Sequence, residues 1–207
     1  MFEAGTRFLN RTLFCYFARI LLDNTRQLVA DIKVQSSKFQ VQKPNMTAYI
    51  GLGSNLGDRA GNLLLGIRGI LDAGLEVTRL SNIYESEPVE TFAQPYFLNM
   101  VAELGGNTLP EPEQMLARLL RVEYALGRRR EVPRGPRLID LDLLLYGDKT
   151  SATEFLSLPH PRLHLRRFVL TPLAELAPNL IHPTLKRTIG GLLEKVDDQS
   201  DVKKWSG

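Results

Sequence analysis

The chain has 207 residues, of which 43% are hydrophobic and 24% charged, enough for one globular core of useful size. No apolar run approaches a membrane span, and a single cysteine, Cys15, excludes an intrachain disulfide framework. The formal charge of +3 is local: residues 1–45 hold seven Lys/Arg against three acids and residues 46–207 hold 19 against 20, which favours a small anion at a basic loop over a polyanion lattice.

Residues 1–45 read as a separable N-terminal extension. TRFLNRTLFCYFARILL mixes basic and apolar residues, and Arg19 interrupts its only candidate signal-peptide core. A misplaced start codon, an accessory amphipathic helix and an organellar transit peptide are the three readings. Met46, directly before a strand pattern, favours the first and opens a domain running over 46–207.

From there the punctuation is regular. MTAYIGLGSN predicts a strand ending in a Gly-rich turn, and GDRAGNLLLGIRGILDAG a helix with Leu63, Leu64, Ile67, Ile70 and Leu71 on one stripe, capped by Asn55 or Asp58. LEVTRLSNIYES predicts one strand, ESEPVETFAQP a Pro-bearing loop, and YFLNMVAEL a further strand. EPEQMLARLLRVEYAL predicts a second helix stopped by Gly127, and an arginine-rich loop over 128–137 leads into RLIDLDLLLYG, a last strong strand. The order β-α-β-β-α-β is that of an α+β ferredoxin-like sandwich, an antiparallel sheet with helices packed on it. Two further helical patterns follow, around RRFVLTPLAELA and LKRTIGGLLEKV.

Chemistry concentrates at few places. In the last strand, Asp140 and Asp142 share a face roughly 6 to 7 Å apart, while Ile139, Leu141, Leu143 and Leu145 take the other. Paired acids beside Arg128, Arg129, Arg130, Arg134 and Arg137 suggest a divalent metal and a phosphate, against the plainer reading of a solvated strand face with surface ion pairs. On YFLNMVAEL the same period places Phe97 beside Asn99, a ring and an amide able to hold a flat heterocycle. Gly51, Gly53 and Gly57 lack the spacing of a dinucleotide loop. His160 and His164 have the spacing of a helical metal pair, but Pro161 argues against a helix there and no thiolate is at hand.

Taken together, GLGSNLGDR at 51–59, QPYFLN at 94–99, the arginine loop, GPRLIDLDLLLYG at 135–147 and LPHPRLHLRRFVLTPLAELAP at 158–178 resemble the 6-hydroxymethyl-7,8-dihydropterin pyrophosphokinases of folate biosynthesis, from about Met46 to about residue 195. The resemblance implies transfer of a diphosphate group from ATP to the pterin hydroxymethyl group, releasing AMP. It implies that Asp140 and Asp142 hold two Mg²⁺ ions, that Arg128 and Arg137 are catalytic arginines closing on the phosphates, and that Glu123, Arg130, His160 and Arg166 contact ATP. For the pterin it implies Phe97 and Phe168 as sandwiching rings, Asn99 at the amide edge, and Ser86 and Val89 as loop contacts. The sequence departs from the family at Phe97, where Tyr is frequent, at Glu87, which replaces a frequent Pro, at Arg134, where a Trp can stand, and in an arginine loop one residue shorter.

The expectation is a cytoplasmic monomer that acts on two small molecules, with Mg²⁺, no nucleic-acid partner and no membrane. The rival is a non-catalytic RNA-binding module on the same strand and helix order; it would want a basic sheet face, where this chain puts two aspartates.

Overall fold

The computed structural model describes residues 46–88, 94–106, 109–128 and 135–206. The N-terminal extension lies outside them, as do Val89, Arg129, Arg130 and Arg134.

The elements are β1 (Ala48–Ser54), α1 (Arg59–Asp72), β2 (Glu76–Leu80), β3 (Tyr84–Ser86), β4 (Phe97–Gly105), α2 (Pro112–Ala125) and β5 (Asp140–Tyr146). The strands pair antiparallel in the order β5-β1-β4-β3, with β2 also on β4, so the α+β ferredoxin-like sandwich predicted from the sequence is present. One expected strand is two: LEVTRLSNIYES breaks at 81–83, where the Ser81 hydroxyl accepts from Val101 N at 2.9 Å in place of a ladder bond.

Alternation along the strands sorts apolar side chains onto two faces. Ala48, Ile50, Leu52, Leu98, Met100, Ala102, Leu104, Leu141 and Leu143 lie under Leu63, Ile67 and Ile70 of α1 and Met115, Leu119 and Val122 of α2. Asp58, not Asn55, caps α1, accepting from Gly61 N at 3.0 Å. The opposite face carries Tyr49, Val101, Leu144 and Leu145 beneath α3 (Arg167–Leu176) and α4 (Ile189–Leu193). Leu145 therefore leaves the stripe expected for it. Tyr49 pairs with Leu145 and Ile50 with Leu143, so Leu144 is an extra residue in β5, and that bulge reverses the alternation after Leu143.

Three short strands fall where loops or nothing had been expected. β6 (Ser151–Ala152) pairs with β7 (Ser157–Leu158), and β8 (Val202–Lys204) adds to the sheet edge on β3. Only five residues of LKRTIGGLLEKV are helical.

Candidate active site

The α3 and α4 helices cover one end of their face of the sheet and leave the other end open. That open end forms a cavity of about 240 Å³. Its floor is set by register: Gly53 of β1 lies between Asp140 of β5 and Asn99 of β4, and Gly51 lies between Asp142 and Val101. A Cβ at Gly53 would stand 3.4 Å from Asn99 Oδ1 and 3.9 Å from Asp140 Cβ. With glycine at both places no β1 side chain rises between the carboxylates and the amide, and the two halves of the cleft share one floor. The sequence pattern had suggested a tight turn at these glycines; both lie inside β1, and the turn falls at Gly57, with φ +66°.

One half of the cleft is ionic. Arg128 pairs with Glu123 and with Asp140, and Arg137 pairs with the second oxygen of Asp140. Burial, then the charge of Asp140, raise the Asp142 carboxyl to about 6, against the pull of Arg166, Arg128 and Arg137. Burial lowers His160 to about 4, helped by Arg166 and Arg162, so its imidazole is neutral at physiological pH. Two hard carboxylates on one strand face, one of them resisting ionisation, form a donor set that a divalent cation would relieve. No group of three His, Cys, Asp or Glu that could hold a metal occurs among the described residues.

Glu123 does not line this cavity. It is 2% exposed, turned inward from α2, and its Oε1 accepts from Leu141 N at 2.7 Å as well as from Arg128. Burial raises its carboxyl to about 7, against the backbone bond and Arg128. Helical spacing places it next to β5 and not on the open face of α2. It backs Arg128 from behind the cleft.

The other half is a slot with aromatic walls. Phe97 starts β4 and Phe168 lies in the first turn of α3, with the Arg166 guanidinium 5.5 Å from its ring centre. Between them the 5% exposed Asn99 donates from Nδ2 to Ser86 Oγ at 2.9 Å, which leaves its carbonyl oxygen beside Gly53.

Of the residues singled out from the sequence, Arg128, Arg137, Asp140, Asp142, His160, Arg166, Ser86, Phe97, Asn99 and Phe168 all line the one cavity. Val89 and Arg130 lie outside the described residues. His164 is in a 3₁₀ turn, set edge to face against His182 with ring centres 6.2 Å apart. Sequence reasoning passed over Arg162 and Gln94, which also line the cleft, and over Asn55. Asn55 is 1% exposed; its Oδ1 accepts from Arg137 N at 2.8 Å and its Nδ2 donates to Gln94 Oε1 at 3.1 Å, tying the end of the arginine loop to the segment before Phe97. The signal was present as a buried amide in a polar turn, indistinguishable in one dimension from a helix cap.

A family model described as 7,8-dihydro-6-hydroxymethylpterin-pyrophosphokinase (HPPK) matches residues 49–178. The chain is 45% identical over 133 residues to the 2-amino-4-hydroxy-6-hydroxymethyldihydropteridine pyrophosphokinase of Bacillus subtilis, covering 64% of this chain and 78% of that protein. It is 40% identical over 143 residues to the protein of the same name from Aquifex aeolicus, covering 69% and 88%. It is 41% identical over 159 residues to the folic acid synthesis protein fol1 of Pneumocystis carinii, where it covers 77% of this chain but spans only 21% of the fungal polypeptide. Among solved structures, Plasmodium falciparum HPPK-DHPS with pteroate matches with a TM-score of 0.57 at 16% identity, over 74% of this chain and 45% of that one.

Proposed function

The chain belongs to the 7,8-dihydro-6-hydroxymethylpterin-pyrophosphokinase family, and from that premise we propose that it transfers a diphosphate group from ATP to the hydroxymethyl group of 6-hydroxymethyl-7,8-dihydropterin. In this reaction the hydroxymethyl oxygen attacks the β-phosphorus and loses its proton. The bond from the β-phosphorus to the oxygen it shares with the α-phosphate breaks, and AMP leaves. The observation that carries the reading is the shared floor: an aromatic and amide slot and a paired carboxylate cluster meet over Gly51 and Gly53 without a side chain between them.

Each part has a task under this reading. Phe97 and Phe168 stack on the heterocycle, and Asn99, oriented by Ser86, offers its carbonyl oxygen to ring donors. Arg128, Arg137 and Arg166 supply permanently charged forked donors to phosphate oxygens, and neutral His160, whose Nδ1 accepts from Arg162 N at 3.3 Å, donates one hydrogen bond from Nε2 there. Arg130 and Val89 are proposed for ATP and pterin, respectively, on the family pattern alone. Asp140 and Asp142 would hold Mg²⁺, two ions on the family pattern; bound there, the metal supplies charge neutralisation and alignment of the polyphosphate. Arg128 pairs with Glu123 and Asp140 and Arg137 with Asp140, so phosphate oxygens would compete with these carboxylates for the same guanidinium groups.

The same reading makes the enzyme a cytoplasmic monomer whose partners are small molecules. No helix among the described residues is long and apolar enough to cross a membrane. Nothing in the comparisons favours the RNA-binding rival, and the sheet face it would use carries Asp140 and Asp142. The test is AMP release with Mg²⁺, ATP and the hydroxymethyl pterin: AMP is expected only when all are present. ADP as the product, or AMP formed equally without the pterin, would overturn the proposal.

A further inference from the structure

The α3 helix brings Phe168 and Arg166 to the slot, yet it does not cap itself. Its N-cap residue Arg166 makes no side-chain capping bond and its first turn holds no acid, so its leading N–H groups need an outside acceptor. Asp198 supplies one from 31 residues away. Its Oδ2 accepts from Arg167 N at 2.7 Å, its carbonyl oxygen accepts from Arg167 Nε at 2.7 Å, and its Oδ1 accepts from Ser200 N at 2.9 Å. These bonds hold the Asp198 carboxyl below the ordinary carboxylate range, against its partial burial.

From Asp198 the chain runs on to the strand that carries Ser86, another residue lining the cavity. Val202 of β8 pairs with Ser86 and Lys204 with Tyr84, Trp205 N donates to Ile83 O at 2.9 Å, and the Trp205 ring packs against the core beneath the sheet. One short segment is thus bonded to the helix that carries Phe168 and to the strand that carries Ser86. The far end of α3 has anchors of its own: Leu176 O accepts from Arg79 Nη1 at 2.8 Å, and the Glu175 carboxylate accepts from Asn82 N at 2.9 Å, besides Tyr84 OH at 3.0 Å from the strand that pairs with β8. The Asp198 bonds act on the first turn of α3, and that turn is where Phe168 sits.

We propose that residues 198–205 are a strap that fixes the width of the pterin slot, with Asp198 as a positioning residue acting through Phe168. The inference rests on the functional reading above. It lies outside the family match, which ends at residue 178.

The experiment compares the full-length wild type with Asp198→Ala, Asp198→Asn, Phe168→Ala and the Asp198→Ala/Phe168→Ala double variant. Equilibrium affinities for 6-hydroxymethyl-7,8-dihydropterin and for a non-hydrolysable ATP analogue are measured separately. Losing an N-terminal cap should appear as pterin binding weakened about fivefold or more in Asp198→Ala, with the nucleotide constant weakened clearly less, because Arg166 stands beside the released cap but is only one of several phosphate contacts. Asp198→Asn, which keeps an acceptor oxygen and loses the charge, should fall between and serves if the alanine variant does not fold. In the Phe168→Ala background the Asp198→Ala effect on pterin should vanish, because the group through which it acts is gone. Unchanged pterin affinity, equal losses for both ligands, or an undiminished effect without Phe168 would each overturn the strap. A wild type that binds no pterin would instead overturn the functional reading, and the strap with it.

Discussion

The two faces of the central sheet use the same strands in opposite ways. Toward α1 and α2 the strands present a layer that is apolar but for Tyr146, whose hydroxyl donates to Pro110 O at 2.7 Å. Toward α3 and α4 they present Tyr49, Val101, Leu144 and Leu145 at one end and Asp140, Asp142, Asn99 and two glycines at the other. Neighbouring residues of one strand therefore serve stability and chemistry in alternation. Even the covered end of the second face is partly ionic: burial pushes Glu103 up, but bonds from Arg79 and Thr78 outweigh it and hold the carboxyl low, and burial together with Glu103 pushes the Tyr49 hydroxyl well up. The difference teaches that the first face can be exchanged for any well-packed layer, whereas the second depends on particular polar atoms at particular registers.

The contrast is sharpest at the carboxylate pair, Asp140 and Asp142. Asp142→Ala and Asp140→Ala should each lower turnover by at least about two to three orders of magnitude, while the melting temperature of the ligand-free protein holds or rises for Asp142→Ala, since one of two repelling carboxyls is removed. Mg²⁺ alone should raise the melting temperature of the wild type and not of these variants. Full activity of either variant at saturating Mg²⁺ would remove the metal assignment.

On the other face, Leu63→Ala leaves a cavity under an unexposed side chain and should cost about 2 to 5 kcal/mol in urea unfolding, with the turnover of the folded fraction unchanged. A large fall in turnover at full folding would show the two faces to be coupled.

Arg128 joins the faces, because its partner Glu123 comes from α2. Arg128→Ala and Arg137→Ala should each reduce kcat about a hundredfold with separately measured affinities little changed. Only Arg128→Ala should also lower the melting temperature, as it strips a buried carboxyl of its cation. Weak ATP binding with normal turnover at saturation would make both arginines simple anchors.

Phe97→Ala should weaken the pterin by about 1 to 3 kcal/mol and leave the nucleotide alone. Calorimetry with each ligand separates this from unfolding, which would weaken both.

The last effect, spread over a window of pH, is the dependence of stability contributed by His160. The unfolded side chain takes up its proton near 6.5 and the folded one only near 4. Between those values the unfolded state binds more protons, so this group's contribution to stability falls as pH falls through the window. Glu123 and Asp142 act with the opposite sign, because their raised values make the folded state the better proton binder, and their contribution is lost as pH rises toward about 7 and about 6, respectively. Urea midpoints of wild type and His160→Gln should therefore diverge between pH 6.5 and 4, the wild type losing more. Parallel curves would show that His160 titrates normally.

What the sequence determined by itself was the repeating part of the molecule. Period two and period 3.6 are backbone properties, so they placed both sandwich helices, the order β-α-β-β-α-β, and the pairs Asp140 with Asp142 and Phe97 with Asn99 on shared faces before any contact was known. The tertiary structure decided what depends on meeting across the chain. The inward turn of Glu123 toward Leu141, the use of Asn55 to bind Arg137 and Gln94, and the capping of α3 by Asp198 each join residues 18 to 82 positions apart, and the bulge at Leu144 is an insertion that alternation cannot foresee. Local preference is a property of a few neighbouring residues, and it carries no information about which distant partner will satisfy a buried polar group.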